Sequence, residues 1–247
     1  MFGISIDRLT MAQAVDRLLA WIDEPAYRCR YVVTPNVDHV VKLQDNTDFL
    51  DAYNEADMVV VDGKPVLLAS RLLGRPLPET VPGSDLAPQL FLASQRRGGL
   101  SVFLLGAADG VAERAACAIT ERWPWVRIAG VYSPPMGFSA QADASEIAIE
   151  RVNHAAPDVL VIGLGAPKQE IWVHAVAPKL KVKCALCIGA TIDFLAGKKA
   201  RAPVWMRRMG IEWLHRMLSE PRRLVRRYAH DAWVFPSLLV KEWFKGR

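Results

Sequence analysis

The chain has 247 residues, of which 51% are apolar and 23% charged, a composition that excludes a disordered protein and allows a sizeable core. Its net charge of +5 is unevenly distributed: residues 198–247 carry 13 of the 31 Lys and Arg and 4 of the 26 Asp and Glu, a balance of +9, and residues 1–197 carry the other 18 and 22, a balance of −4. A basic tail on a mildly acidic body favours a polyanion or an anionic membrane surface as the partner of the tail.

The N-terminus lacks a basic segment followed by an apolar run, and no stretch reaches the roughly 18 apolar residues of a spanning helix. We therefore expect a cytoplasmic protein whose four cysteines stay reduced. Cys184 and Cys187 have the CxxC spacing, but they lie in an apolar, strand-like run without a second pair. This setting favours core packing over metal binding.

Apolar runs of strand length alternate with helical patterns through the first 197 residues. The runs are almost continuously hydrophobic, as in strands covered on both faces. Thr10 and Gln13 form a capping box that opens the first helix. The alternation predicts an α/β fold with a Rossmann-like parallel sheet and helices on both faces. The six candidate strands cover residues 31–34, 57–61, 100–105, 127–132, 158–163 and 183–188.

The pattern changes at about residue 197 to helices rich in arginine. We expect two units, a catalytic α/β domain at 1–197 and a helical, basic C-terminal appendage at 198–247. Residues 201–228 hold eight arginines and no lysine, and three prolines, Pro203, Pro221 and Pro236, stand where helices are expected to start or stop.

The segment after Pro221 is predicted to be a basic amphipathic helix. At about 100° per residue, Leu224 and Tyr228 fall on one side and Arg226 and Arg227 on the other. Tryptophans follow, as is typical of a helix at a membrane interface. Docking of the apolar side on the body is the alternative.

Polar residues and glycines follow five predicted strands, where the carboxyl ends of parallel strands form one edge that binds ligands. Each has a structural explanation when taken singly, such as a tight turn at Gly106 or a helix cap at Asp62. Together they predict a cleft for a phosphorylated ligand, because helix N-termini bind anions. The residues are Thr34, Asn36, Asp62, Gly106, Gln169 and Asp193.

The sequence contains no Asp-x-Asp pair and no His/Cys cluster with metal-ligand spacing. We therefore expect neither a metal nor another cofactor. The charge of a diphosphate would instead be balanced by helix N-termini and by arginines of the tail, for which Arg216, Arg223 and Arg226 are the candidates. Arg222 and Arg227 are assigned to anionic lipid.

Several short pieces occur in order along almost the whole chain: TPN at 34–36, ADMVVVDG at 56–63, PGSDL at 82–86, FLLG at 103–106, GLGAPKQE at 163–170, DFLAG at 193–197 and the whole of 201–228. Together they resemble the WecG/TagA/CpsF family of bacterial glycosyltransferases. The G-x-P-K-Q-E piece and the R-A-P…E-W…R…E-P-R-R piece carry most of the specificity.

The resemblance implies an inverting, metal-independent transfer of a sugar from a UDP-sugar to a polyprenyl-diphosphate-linked sugar in cell-surface polysaccharide biosynthesis. N-acetylmannosamine, its uronic acid and glucose are the donor sugars considered. The enzyme would be peripheral on the inner face of the cell membrane and would not bind nucleic acid, and a homo-oligomer is left open.

The resemblance also implies residue roles. Asp62 corresponds to the proposed catalytic base. Thr34, Asn36 and Gln169 correspond to pocket residues, of which Thr34 is a second catalytic candidate, and Asp193 lies in a motif near the nucleotide. Arg216, Arg223 and Arg226 correspond to arginines that meet the diphosphate.

Three positions depart from the family pattern, and all concern the identity of the donor: Thr80 replaces an arginine, Lys64 stands beside the proposed base, and Phe138 replaces a tyrosine. Two other function classes stay open. A nucleotide-sensing or nucleic-acid-binding protein would use the basic tail, although the acidic body and the tryptophans disfavour it. An oxidoreductase would need the G-x-G-x-x-G fingerprint, which is absent.

Overall fold

The computed structural model describes residues 1–25, 28–135, 137–209 and 211–245, without the side chains of Val204, Arg207, Arg208 and Arg223. The strands are β1 (Arg30–Val33), β2 (Met58–Val59), β3 (Leu100–Gly106), β4 (Val126–Tyr132), β5 (Val159–Gly163) and β6 (Cys184–Cys187). The helices of the described residues are α1 (Met11–Asp23), α2 (Val37–Lys42), α3 (Thr47–Asn54), α4 (Lys64–Leu72), α5 (Gly83–Ala93), α6 (Val111–Arg122), α7 (Asp143–Ala155), α8 (Lys168–Val176), α9 (Thr191–Leu195), α10 (Val204–Met209), α11 (Glu212–Ser219) and α12 (Pro221–Lys245).

The six strands form one parallel sheet in the order β2-β1-β6-β5-β3-β4. The predicted α/β fold and all six candidate strands are confirmed, although β2 is only two residues long. Side chains alternate between two cores. Residues of α1, α5, α6 and α9 pack on one face of the sheet, and residues of α3, α7 and α8 pack on the other.

Side-chain caps mark the starts of α1, α2 and α3. The amide of Gln13 donates to Thr10 Oγ1 at 3.3 Å and the amide of Thr10 donates to Gln13 Oε1 at 2.9 Å, so the predicted capping box is formed. Helix α3 was not predicted, although Asn46 caps it by accepting from the amide of Phe49 at 2.9 Å. Cys184 and Cys187 are buried in β6 on opposite faces of the sheet, which confirms that they pack in the core.

Helix α12 packs along the body through one of its faces. Leu224, Asp231 and Leu238 are buried on this face. Phe235 meets Phe2 with ring centroids 5.6 Å apart, and Leu238 belongs to a third buried cluster with Val66 and Leu67 of α4. The helix continues through Pro236, so the expected helix boundary at this proline is wrong. In the described part of the chain, no helix combines the length and the apolar composition needed to cross a membrane.

Gly106 ends β3 directly beside Gly163 of β5. Its φ is +110°, and a Cβ there would lie 2.6 Å from the carbonyl carbon of Gly163. We expect Gly106→Ala to lower the free energy of unfolding by roughly 2–4 kcal/mol, which combines backbone strain with overpacking. Chemical denaturation measures this loss.

The matched control is Gly74→Ala. Its φ is +70°, but no atom lies within 4 Å of the added Cβ, so it keeps the strain without the clash and should lose only about 1 kcal/mol. Equal losses for the two variants would contradict the close approach of β3 and β5.

Candidate active site

A cavity of about 550 Å³ lies between the carboxyl ends of β1 and β2 and the C-terminal helices. Asn36 and Asp62 line it from the loops that follow the two strands, and Arg216 lines it from α11. Residues of α12 complete the wall. Three residues that the sequence placed in a ligand site are therefore brought together. Arg216 lines the same cavity as Asp62 although it follows Asp62 by 154 residues along the chain.

Asp62 is the most perturbed acid of this cavity. Its amide donates to the carbonyl of Pro35 at 2.9 Å, which fixes the loop after β2. Removal from water raises the pKa of Asp62 from 3.8 to about 7; Arg216 lowers it, and Glu212 of α11 raises it. Asp85 and Arg201 act more weakly, in opposite directions. A carboxyl group with this pKa can accept a proton near neutral pH.

The start of α4 faces the cavity beside Asp62. Gly63 precedes the helix with a φ of +109°, and no side chain caps the first turn. Lys64 and Pro65 also line the cavity, as does Thr80. Thus two of the three departures from the family pattern, Lys64 and Thr80, lie in the wall around Asp62.

Thr34 and Asn36 belong to the loop that follows β1. Thr34 is buried and is not part of the cavity lining. The side chain of Asn36 accepts from the amide of His39 at 3.1 Å, so its carbonyl caps α2. Of these two residues, only Asn36 has direct access to a ligand in the cavity.

The remaining strand-end residues lie along the same edge of the sheet but outside this cavity. Gly106 is pressed against Gly163. Gln169 is buried. Its side-chain oxygen accepts from the amide of Gly165 at 3.2 Å, and its Nε2 donates to Glu170 Oε1 at 2.8 Å. Asp193 faces Lys199 at 3.7 Å. The structure gives Gln169 a role in shaping its own loop, which the sequence did not suggest.

The arginines of the tail lie in different surroundings. Arg226 is exposed and lines a second cavity of about 680 Å³, so it does not share the cavity of Arg216. Arg227 borders both cavities and lies 3.7 Å from Asp38; the expectation that it faces lipid is therefore wrong, because α12 turns it toward the body. Arg201 donates to Asp85 at 2.9 Å. The side chain of Arg223 lies outside the described residues.

Three residues of the cavity wall were not assigned from the sequence. Glu212 and Trp213 precede Arg216 in α11, and Tyr228 faces them from α12. The ring of Trp213 meets that of Tyr228 edge to face, with centroids 6.2 Å apart. The E-W pair is part of the quoted motif, but nothing in its spacing indicates that it lines the same cavity as Asp62.

Comparison with known proteins gives one family. The sequence profile of the glycosyl transferase WecG/TagA/CpsF family matches residues 1–247. Similar proteins include the N-acetylglucosaminyldiphosphoundecaprenol N-acetyl-beta-D-mannosaminyltransferases of Staphylococcus aureus strains MRSA252, MW2 and NCTC 8325 / PS 47. Each is 30% identical over 226 residues, which cover 92% of this chain and 86% of the relative.

The raised pKa of Asp62 makes stability depend on pH. Because folding raises this pKa from 3.8 to about 7, the native state holds a proton that the unfolded chain releases in this window. The contribution of Asp62 to the free energy of unfolding therefore falls as the pH rises from about 4 to about 7. We expect Asp62→Asn to have a higher Tm than the wild type at about pH 8 and a shrinking advantage toward about pH 4.

Thermal unfolding across this pH range checks the expectation. The control is Asp51→Asn, the same substitution at an exposed position of α3, whose effect should stay small and nearly constant with pH. A gain in Tm for Asp62→Asn that is independent of pH would show that Asp62 does not hold a proton in the native state.

Proposed function

The chain belongs to the WecG/TagA/CpsF family of glycosyl transferases, and on that premise we propose that it transfers a sugar from a UDP-sugar to a polyprenyl-diphosphate-linked sugar. The observation that carries the proposal is the position of Asp62, a carboxyl group with a pKa of about 7, in one cavity with Arg216. The relatives, named for N-acetylmannosaminyl transfer to an N-acetylglucosamine-diphosphate lipid, make these sugars the first candidates.

In this reaction Asp62 takes the proton of the acceptor hydroxyl. The oxygen then forms a bond to the anomeric carbon of the donor, while the bond from that carbon to the UDP phosphate breaks and UDP leaves. Attack opposite to the leaving group inverts the anomeric configuration. Asp62 is suited to this step because burial keeps it more basic than an ordinary aspartate, yet still partly ionised near neutral pH.

Arg216 is assigned to diphosphate charge in the same cavity. Its guanidinium stays ionised and can donate two parallel hydrogen bonds to phosphate oxygens. The first turn of α4, which no side chain caps, supplies further partial positive charge at the cavity wall. Arg223 and Arg226 remain proposals for the same task, Arg226 from the neighbouring cavity.

Donor binding is assigned to the carboxyl edge of β3, β5 and β6, where Gly106, Gln169 and Asp193 follow the strands. This edge continues from the cavity of Asp62 across the sheet. Incubation with a panel of UDP-sugars, including N-acetylmannosamine, its uronic acid and glucose, followed by mass measurement of the product, identifies the donor sugar.

The exposed side of α12 fits a membrane surface. At about 100° per residue, Arg222, Arg226, Trp233, Val240 and Phe244 form one stripe, opposite to the face that contains Leu224 and Leu238. Trp233 is 86% exposed and Phe244 69%. We call these five residues the exposed stripe. Its basic start and aromatic end match a helix that lies in the headgroup region of an anionic membrane, which would place the 198–247 unit between the body and the lipid-linked acceptor.

Replacement of the base tests the reaction. Asp62→Asn should lower kcat/KM for UDP release with a polyprenyl-diphosphate sugar acceptor by about 10²–10⁴-fold, the range for loss of general base catalysis. Donor affinity should change little, because the proton transfer involves the acceptor. Asp51→Asn serves as the control, and turnover of Asp62→Asn close to that of the wild type would exclude Asp62 as the base.

Binding to lipid vesicles tests the exposed stripe. Trp233→Ser combined with Val240→Ser should weaken binding to vesicles that contain anionic phospholipid by about tenfold or more, because less apolar surface enters the interface. The matched control replaces two exposed leucines of α4, Leu68 and Leu72, by serine. Weaker binding of the control with no change in the stripe variant would place the membrane contact on α4 instead.

A further inference from the structure

Helix α11 presents Glu212, Trp213 and Arg216 to the cavity that contains Asp62. Glu212 and Arg216 are four residues apart and so lie on the same side of the helix. The proposed function gives Arg216 a ligand, the diphosphate. It gives Glu212 and Trp213 no ligand, although both line the same cavity from the same helix as Arg216.

The charge of Glu212 is directed at the cavity. No salt bridge to Glu212 is formed within the part of the chain that the structure describes, and its carboxylate is near enough to Asp62 to raise the pKa of that acid. A carboxylate that lines a cavity and forms no salt bridge needs a hydrogen-bond donor from water or from a ligand. A sugar provides such donors, since carboxylates accept from hydroxyl groups.

Trp213 provides the second element of a sugar site. It lines the cavity and is still 45% exposed, and its ring packs edge to face against Tyr228 at an interplanar angle of 87°. The two rings form an apolar wall next to Glu212. A pyranose ring has apolar C–H faces and a rim of hydroxyl groups, so an aromatic wall beside carboxylates matches both of its surfaces.

We propose that Glu212 and Trp213 form the subsite for the sugar of the lipid-linked acceptor, with Glu212 accepting hydrogen bonds from its hydroxyl groups and Trp213 covering one of its faces. The acceptor fits better than the donor because Asp62, which Glu212 faces, must contact the acceptor hydroxyl. The cavity wall also includes Phe235 of α12, the helix that carries the exposed stripe. This inference rests on the proposed function and adds acceptor recognition to the tasks of the C-terminal helices.

Steady-state transfer by full-length variants tests the subsite. Acceptor is varied at saturating donor, and donor at saturating acceptor. Glu212→Gln and Trp213→Ala should each raise the acceptor KM by about tenfold, the loss expected for a hydrogen bond to a charged group or for an aromatic contact, and should leave the donor KM unchanged. Trp213→Phe should recover part of the affinity.

The pH profile gives a second readout. In Glu212→Gln, the acid limb of kcat/KM should move to lower pH, because a negative charge beside Asp62 is removed. The control is Glu220→Gln, which removes the same charge just after α11, where Glu220 pairs with Lys199 at 3.0 Å. This control should keep both the acceptor KM and the acid limb of the wild type.

An unchanged acceptor KM in folded Glu212→Gln and Trp213→Ala, verified by thermal unfolding, overturns the subsite. A rise confined to the donor KM overturns it as well, because it assigns α11 to the donor. If the wild type transfers no sugar, the proposed function fails instead. Calorimetric binding of a short-chain diphosphate-sugar acceptor to the wild type and to Glu212→Gln then still decides whether α11 recognises it.

Discussion

The site depends on the packing of α12 against the body. Phe235 and Leu238 pack with residues of α2, α4 and the N-terminus, and Leu224 is buried on the same face of α12. Without this contact, Asp62 would follow a short edge strand and face water. In the structure, Asp62 is half-buried in the wall of the cavity that α12 helps to form, and desolvation is the largest cause that raises its pKa to about 7. The apolar contacts of one helix thus help to enclose the carboxyl group that follows a strand of the body.

The same packing brings opposite charges near Asp62. Arg216 and Glu212 come from one helix and act on Asp62 in opposite directions. Because the desolvation of a carboxylate costs more than a single nearby cation regains in partly wet surroundings, the raised pKa persists although an arginine lies near. An enzyme that had only the arginine and no desolvation would hold Asp62 as a weak base. The arrangement therefore fits the proposed roles, in which Arg216 binds a diphosphate while Asp62 stays basic.

The sequence predicted the fold well, because buried parallel strands are nearly continuous apolar runs and all six of them stand out. It missed α3, whose short apolar pattern is weak, and it wrongly ended a helix at Pro236, where packing on the body outweighs the lost hydrogen bond. For the site, Asn36, Asp62 and Arg216 were predicted and do meet. Glu212 and Trp213 were not, because their proximity to Asp62 is created by the docking of the C-terminal helices, which no local pattern encodes.

The geometry of α12 also bears on how the proposed acceptor would reach Asp62. Its docked face and Phe235 border the cavity, while the exposed stripe lies on the opposite side. A helix with its side chains is about 10–12 Å across, so the base would stand roughly that distance above a membrane in contact with the stripe. A diphosphate and one sugar together can span such a gap, and the polyprenyl chain can then stay in the bilayer. Under the proposed membrane contact, the thickness of α12 would favour an acceptor whose reacting hydroxyl is separated from the lipid by a diphosphate, because a sugar attached directly to a lipid would stop short of Asp62.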